Sequence, residues 1–99
     1  MRLSQAQVDA IVQVFQHVFS HGELLLFGSR VDDQRKGGDI DLYIQPAELM
    51  PDLLMRKIKF LSMLKSKIGD QKIDLVLAPF APKYLKREIR DKGVVLCRM

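Results

Sequence analysis

The sequence predicts an α+β (α/β) fold, a mixed β-sheet with helices packed over it. Short apolar runs of strand length interleave with longer segments whose apolar residues recur at helical spacing. Glycines and prolines punctuate nearly every junction between them. With 99 residues and 47% hydrophobic content, the chain suffices for one core, so a single domain over residues 1–99 is expected.

Ser4 followed by Gln7 forms a capping-box pattern, and Val8, Ile11, Val12, Phe15, Val18 and Phe19 then mark one face of a helix, with Gly22 as its stop. Residues 23–27 are almost wholly apolar and close on Gly28-Ser29, as expected of a strand buried on both faces. A polar loop over residues 32–38 leads into residues 39–44, which alternate with period two until Gln45-Pro46. From residue 51 to 68, Leu53, Leu54, Ile58, Leu61, Leu64 and Ile68 trace a second helical stripe; Arg56, Lys57, Lys59, Lys65 and Lys67 fall largely elsewhere, and Gly69 ends the run. Residues 72–78 read as a third strand, 82–91 as a helix opened by Pro82, and 94–97 as a last short strand. The order is αββαβαβ, with room for a further turn after Ser29.

No apolar run reaches the roughly 18–20 residues of a membrane span, and the amphipathic start lacks the apolar block of a signal peptide, so a cytoplasmic protein with no membrane association is expected. Cys97 is the only cysteine; it sits beside Val94-Val95-Leu96 and reads as a buried thiol. The net charge of +4, from 16 Lys and Arg against 12 Asp and Glu, favours anionic partners without naming one. His17 and His21 lie four apart without the glutamate of a His-Glu-x-x-His metal site, and surface positions are expected for them. Basic residues over 56–67 and 83–92 read as solvated helix faces. Without Trp, and with little aromatic interleaving, nucleic acid is not the expected partner.

The carboxylates carry the chemistry. Asp39 and Asp41, two apart in a strand, project from one face while Ile40, Leu42 and Ile44 line the other. Like charges in an apolar strand are costly unless something offsets them. Asp74 repeats the design, opposite the apolar set Ile73, Leu75 and Leu77. If the two strands are neighbours, about 4.8 Å apart, Asp74 completes a cluster of three. Such oxygen ligands suit Mg²⁺ or Mn²⁺, and two ions about 3.5–4 Å apart can clamp the oxygens of a phosphoryl transfer. Gly28 permits close backbone approach to a ligand, with the Ser29 hydroxyl and Arg30 facing phosphate oxygens. Arg35 and Lys36 lie beside the same loop, better placed for triphosphate than for a duplex. Tyr43 shares the parity of Asp39 and Asp41 and either borders this site or packs beneath a helix.

The combination of an apolar strand, Gly28-Ser29-Arg30, a polar loop, Gly38-Asp39-Ile40-Asp41-Leu42 and a later Asp74 resembles the nucleotidyltransferase superfamily of DNA polymerase beta. The likeness is closest to its minimal nucleotidyltransferase (MNT) branch, and by motif it spans Leu24 to Asp74. The resemblance implies a nucleotidyltransferase-like sheet. It implies that Asp39 and Asp41 ligate the metals, two ions per site, while Asp74 joins one metal and helps deprotonate a hydroxyl acceptor. Gly28, Ser29, Arg30 and Gly38 would hold the triphosphate, and AMP would pass from ATP to the acceptor with release of pyrophosphate. Two departures bear on loop contacts and nucleotide choice: Gly38 stands where many relatives have Ser, and Arg30-Val31-Asp32-Asp33 replaces the frequent small-residue-Arg-Gly continuation. The resemblance further implies a helical HEPN-type partner chain, a homo-oligomer, or both, with this chain as the antitoxin of a toxin–antitoxin pair. The alternative is a non-catalytic antitoxin that neutralises its partner by covering it. The intact triad favours the enzyme, since a binding surface gains nothing obvious from clustering repelling carboxylates.

Overall fold

The computed structural model describes residues 1–32, 34 and 38–99. Asp33, Arg35, Lys36 and Gly37, and with them the expected placement of Arg35 and Lys36 beside the site, lie outside the described residues. The chain runs α1 (Gln5–Phe19), β1 (Gly22–Phe27), a 3-10 turn (Gly28–Val31), β2 (Ile40–Pro46), α2 (Leu53–Ile68), β3 (Ile73–Leu77), a second 3-10 turn (Ala78–Phe80), α3 (Lys83–Lys92) and β4 (Val94–Arg98). This is the predicted order of helices and strands and the α+β class with a mixed sheet; the extra turn expected after Ser29 begins at Gly28 instead and includes Ser29, and the turn at Ala78–Phe80 is an addition.

The strands lie in the order β3-β2-β1-β4. β1 pairs antiparallel with both β2 and β4, whereas β2 and β3 are parallel. Parallel neighbours cannot be joined by a tight hairpin, so α2 serves as the crossover between them. Alternation along the strands then sorts the side chains. Leu24, Leu26, Ile40, Leu42, Ile44, Ile73, Leu75 and Leu77 pack against α1 and α2 in the main core. Leu25 and Tyr43 face the other way and pack with Ala78 and Ile89, under α3. Tyr43, 1% exposed with the Arg90 guanidinium 5.8 Å from its ring centroid, therefore packs beneath a helix rather than bordering the carboxylates.

The helices form where their caps and stripes require. Ser4 Oγ accepts from the Gln7 amide at 3.1 Å, and Gln7 Oε1 accepts from the Ser4 amide at 3.0 Å, closing the predicted capping box. Ser20, at φ 68°, ends α1; Gly22 opens β1 and is not the helix stop expected of it. His21 consequently lies past the helix end, and both histidines are exposed. On α2, Leu53, Phe60 and Leu64 are buried, and Phe60 meets Phe19 with ring centroids 6.1 Å apart. Leu54 and Ile58, expected on the buried stripe, face solvent at 64% and 56% exposure. The stripe is rotated toward Phe60, because the largest apolar side chain occupies the contact with α1. Pro82 caps α3 from outside rather than starting it. Cys97 pairs with Leu24 across β4 and is half-buried rather than buried, since β4 is an edge strand. Among the described residues no helix is long and apolar enough to cross a membrane.

At one end of the sheet Glu23 accepts from Arg90 Nη1 and from Arg98 Nε, each at 2.9 Å, tying α3 and β4 to β1. The hydrogen bond from Arg90 is the main cause of a Glu23 pKa lowered below 4.5, against the opposing effect of burial and with further help from Arg98. A lowered carboxylate pKa stabilises the fold above the unfolded-state value, and the contribution is lost as pH falls through the folded-state value. We expect Glu23→Gln to cost about 1 kcal/mol near pH 7 in urea denaturation and progressively less as pH falls below 4.5.

Candidate active site

The carboxylates come together because of the parallel pairing of β2 with β3. Asp41 and Asp74 are Cα partners in that ladder, as are Ile40 with Ile73 and Leu42 with Leu75. The apolar partners sink into the main core, which turns Asp41 and Asp74 to the opposite face, side by side on adjacent strands. Asp39 precedes β2 instead of lying within it as expected; the ladder begins at Ile40, whose amide donates to the Lys72 carbonyl at 3.1 Å. Asp41 is half-buried and Asp74 exposed.

Electrostatics are correspondingly tense. Burial pushes the Asp41 pKa above 3.8, and the charges of Asp74 and then Asp39 push it further, with only Lys72 acting in the opposite sense. The Lys72 ammonium lies 3.4 Å from Asp39 Oδ2. It stands two residues before Asp74, so period-two reading could have found it. Among the described residues no three His, Cys, Asp or Glu side chains are gathered into a ready metal cage. The donor set nonetheless fits a hard divalent cation: oxygen ligands only, one of them resisting ionisation because of its burial and then because two others repel it.

Two glycines make the surrounding loop possible. Gly28 has φ 77°, and a Cβ there would overlap the Asp41 carboxylate oxygen. Gly38 has φ 91°, and its Cβ would overlap Ser29 Oγ. At both positions the missing side chain is replaced by a functional atom of a candidate residue. At Gly38 the Ser29 hydroxyl fills the space that a side chain would take. Arg30 holds the loop from behind, donating from Nε to the Gly38 carbonyl at 3.2 Å, from Nη1 to the Arg2 carbonyl at 3.0 Å and from Nη2 to Gln71 Oε1 at 3.5 Å. Arg2 completes the clamp through Nε to the Asp32 carbonyl and Nη2 to the Ser29 carbonyl, both at 3.0 Å, and through its amide to the Arg30 carbonyl at 2.7 Å. Sequence reasoning missed Arg2 and Gln71, because pairings 27 to 41 residues apart leave no local pattern.

Comparison with known proteins agrees with this arrangement. A family model described as Polymerase beta, Nucleotidyltransferase matches residues 9–99. No curated protein matches in sequence. Among solved structures, a chain from the complex of tri-AMPylated Shewanella oneidensis HEPN toxin with MNT antitoxin superposes with TM-score 0.74 at 20% identity, over 98% of this chain and 74% of that one. A toxin–antitoxin complex with AMP-PNP gives TM-score 0.74 at 21% identity, over 93% and 73%. An MntA–HepT complex gives 0.72 at 20% identity, over 97% and 74%. At these identities the likeness is one of fold.

Because the folded-state pKa of Asp41 is raised, its ionised form costs stability at neutral pH, and that cost fades as pH falls through the folded-state value toward 3.8. Asp41→Asn should therefore melt higher than the wild type in EDTA near neutral pH, with the gap closing in acid; a lower melting temperature would contradict the repulsion. Gly28→Ala should lose about 1–3 kcal/mol in urea denaturation, from the positive φ and the clash with Asp41.

Proposed function

The chain belongs to the DNA polymerase beta-type nucleotidyltransferase family, and on that premise we propose that it is a metal-dependent enzyme moving AMP from ATP to a hydroxyl on a partner protein. The observation that carries this reading is the side-by-side placement of Asp41 and Asp74 on parallel strands, with Asp39 leading in and Gly28-Ser29 at their edge.

Asp39 and Asp41 would hold two Mg²⁺ (or Mn²⁺) ions, with Asp74 sharing one. When bound, the ions neutralise the carboxylates and stabilise charge developing on the phosphoryl oxygens. The turn at Gly28–Val31 presents its first amides and the Ser29 hydroxyl to the triphosphate. Arg30, whose guanidinium reaches the Gly38 and Arg2 carbonyls, acts by keeping Gly38 against Ser29. Asp74, the most open of the three carboxylates, takes up the proton of the attacking hydroxyl. The new bond joins acceptor oxygen to the α-phosphorus; the bond to the bridging oxygen breaks, and pyrophosphate leaves with that electron pair.

The acceptor would come from a second chain. Solved relatives of this fold are MNT antitoxins complexed with HEPN toxins, one of them tri-AMPylated and another complex holding AMP-PNP. By analogy, a helical HEPN-type protein is the partner, and this chain is its antitoxin in the cytoplasm, with self-association a further way of completing the cleft. A second reading, neutralisation by covering without turnover, is favoured by one observation: the carboxylates are not gathered into a ready cage.

Incubation with ATP labelled on the α-phosphate, Mg²⁺ and the partner should label the partner and release pyrophosphate. Asp39→Asn with Asp41→Asn should reduce labelling more than about a hundredfold while the complex still forms. A complex that forms and neutralises its partner with no label transferred by the wild type would establish the second reading.

A further inference from the structure

Beyond the phosphate loop, the molecule holds a cavity of about 500 Å³ between the 3-10 turn and the inner side of α3. Its walls include Phe27, Val31, Leu85 and Ile89, all buried or half-buried and all apolar. Nothing in the sequence announced it, because the walls come from segments more than fifty residues apart that meet only in the fold.

We propose that this cavity receives the nucleoside end of the nucleoside triphosphate, a proposal that rests on the nucleotidyltransferase reading. Three observations carry it. Gly28 belongs both to the cavity and to the loop pressed against Asp41, and Phe27 is the Cα partner of Asp41, so the cavity opens directly beside the carboxylate row. Its charged lining is Asp32, Glu88 and Lys92, one net negative charge with Lys92 already paired to Glu88, so it holds no cluster of cations for phosphate; the uncharged end of the substrate is the end that fits. Its size falls in the range of small-molecule sites, which span roughly 300–1,000 Å³ and combine apolar walls with a few placed polar groups. A flat heteroaromatic ring covers apolar walls at little entropic cost, and the carboxylates offer acceptors to ribose hydroxyls or an exocyclic amino group. Lys92, paired with Glu88 at 3.6 Å, holds that carboxylate at the mouth.

The test separates the two ends of the substrate. Glu88 is an exposed position on α3, so Glu88→Trp fills the mouth without touching the core, and Glu88→Gln serves as a charge control of similar size. With Mg²⁺ present, calorimetric titration of ATP and of inorganic tripolyphosphate into wild type and both variants is expected to show one pattern. Glu88→Trp binds ATP at least about tenfold more weakly than Glu88→Gln, while tripolyphosphate affinity agrees within about twofold. Equal ATP affinity in the two variants, or equal losses for both ligands, overturns the nucleoside assignment and leaves the phosphate site standing. Failure of the folded wild type to bind either ligand overturns the nucleotidyltransferase reading and this proposal with it.

Discussion

The parallel register of β2 and β3 is the constraint on which everything else depends. Pairing Ile40 with Ile73 and Leu42 with Leu75 buries four aliphatic side chains against α1 and α2, and the same register forces Asp41 opposite Asp74. Side-chain direction alternates at every residue, so a slip by one position would bury the carboxylates and expose the aliphatics. Each aliphatic side chain fully removed from water contributes roughly 1.5–3 kcal/mol, which outweighs the repulsion between two partly solvated carboxylates. The core thus imposes the charge cluster, and the chain carries it as a local instability.

That instability is contained by the loop. Asp41 can sit where it does because Gly28 has no side chain, and Ser29 because Gly38 has none. Both glycines occupy backbone conformations that ordinary residues adopt at a cost, and Arg2 and Arg30 hold the loop further by donating hydrogen bonds to backbone carbonyls. Lys72 relieves part of the carboxylate repulsion from the side of β3. Repelling charge at one edge of a well-packed sheet, beside a loop whose backbone glycine adopts freely and other residues do not, is a cost to stability that the proposed chemistry would account for.

Much of this was legible before the structure. Element order followed from two periodicities and their glycine and proline punctuation, and the alternation of Asp41 and Asp74 with aliphatic residues showed which face each would take. Helix ends were less legible. Ser20 rather than Gly22 ends α1, because a left-handed residue that is not glycine has no compositional signature. The stripe that places Leu54 and Ile58 in the core leaves out Phe60, which is buried against Phe19 and fixes how α2 turns toward α1. What stayed hidden was set by long-range contact: the Arg2 clamp, the burial of Tyr43 under α3 and the cavity between α3 and the 3-10 turn.

The proposed transfer requires the three carboxylates to form one divalent-cation site. That requirement is tested most directly by titrating Mn²⁺ into the chain and following the free-ion signal by electron paramagnetic resonance. Wild type should remove Mn²⁺ from solution, Mg²⁺ should displace it, and Asp41→Asn and Asp74→Asn should each abolish the uptake while remaining folded. Uptake unchanged in both variants, or no uptake by folded wild type, would contradict it.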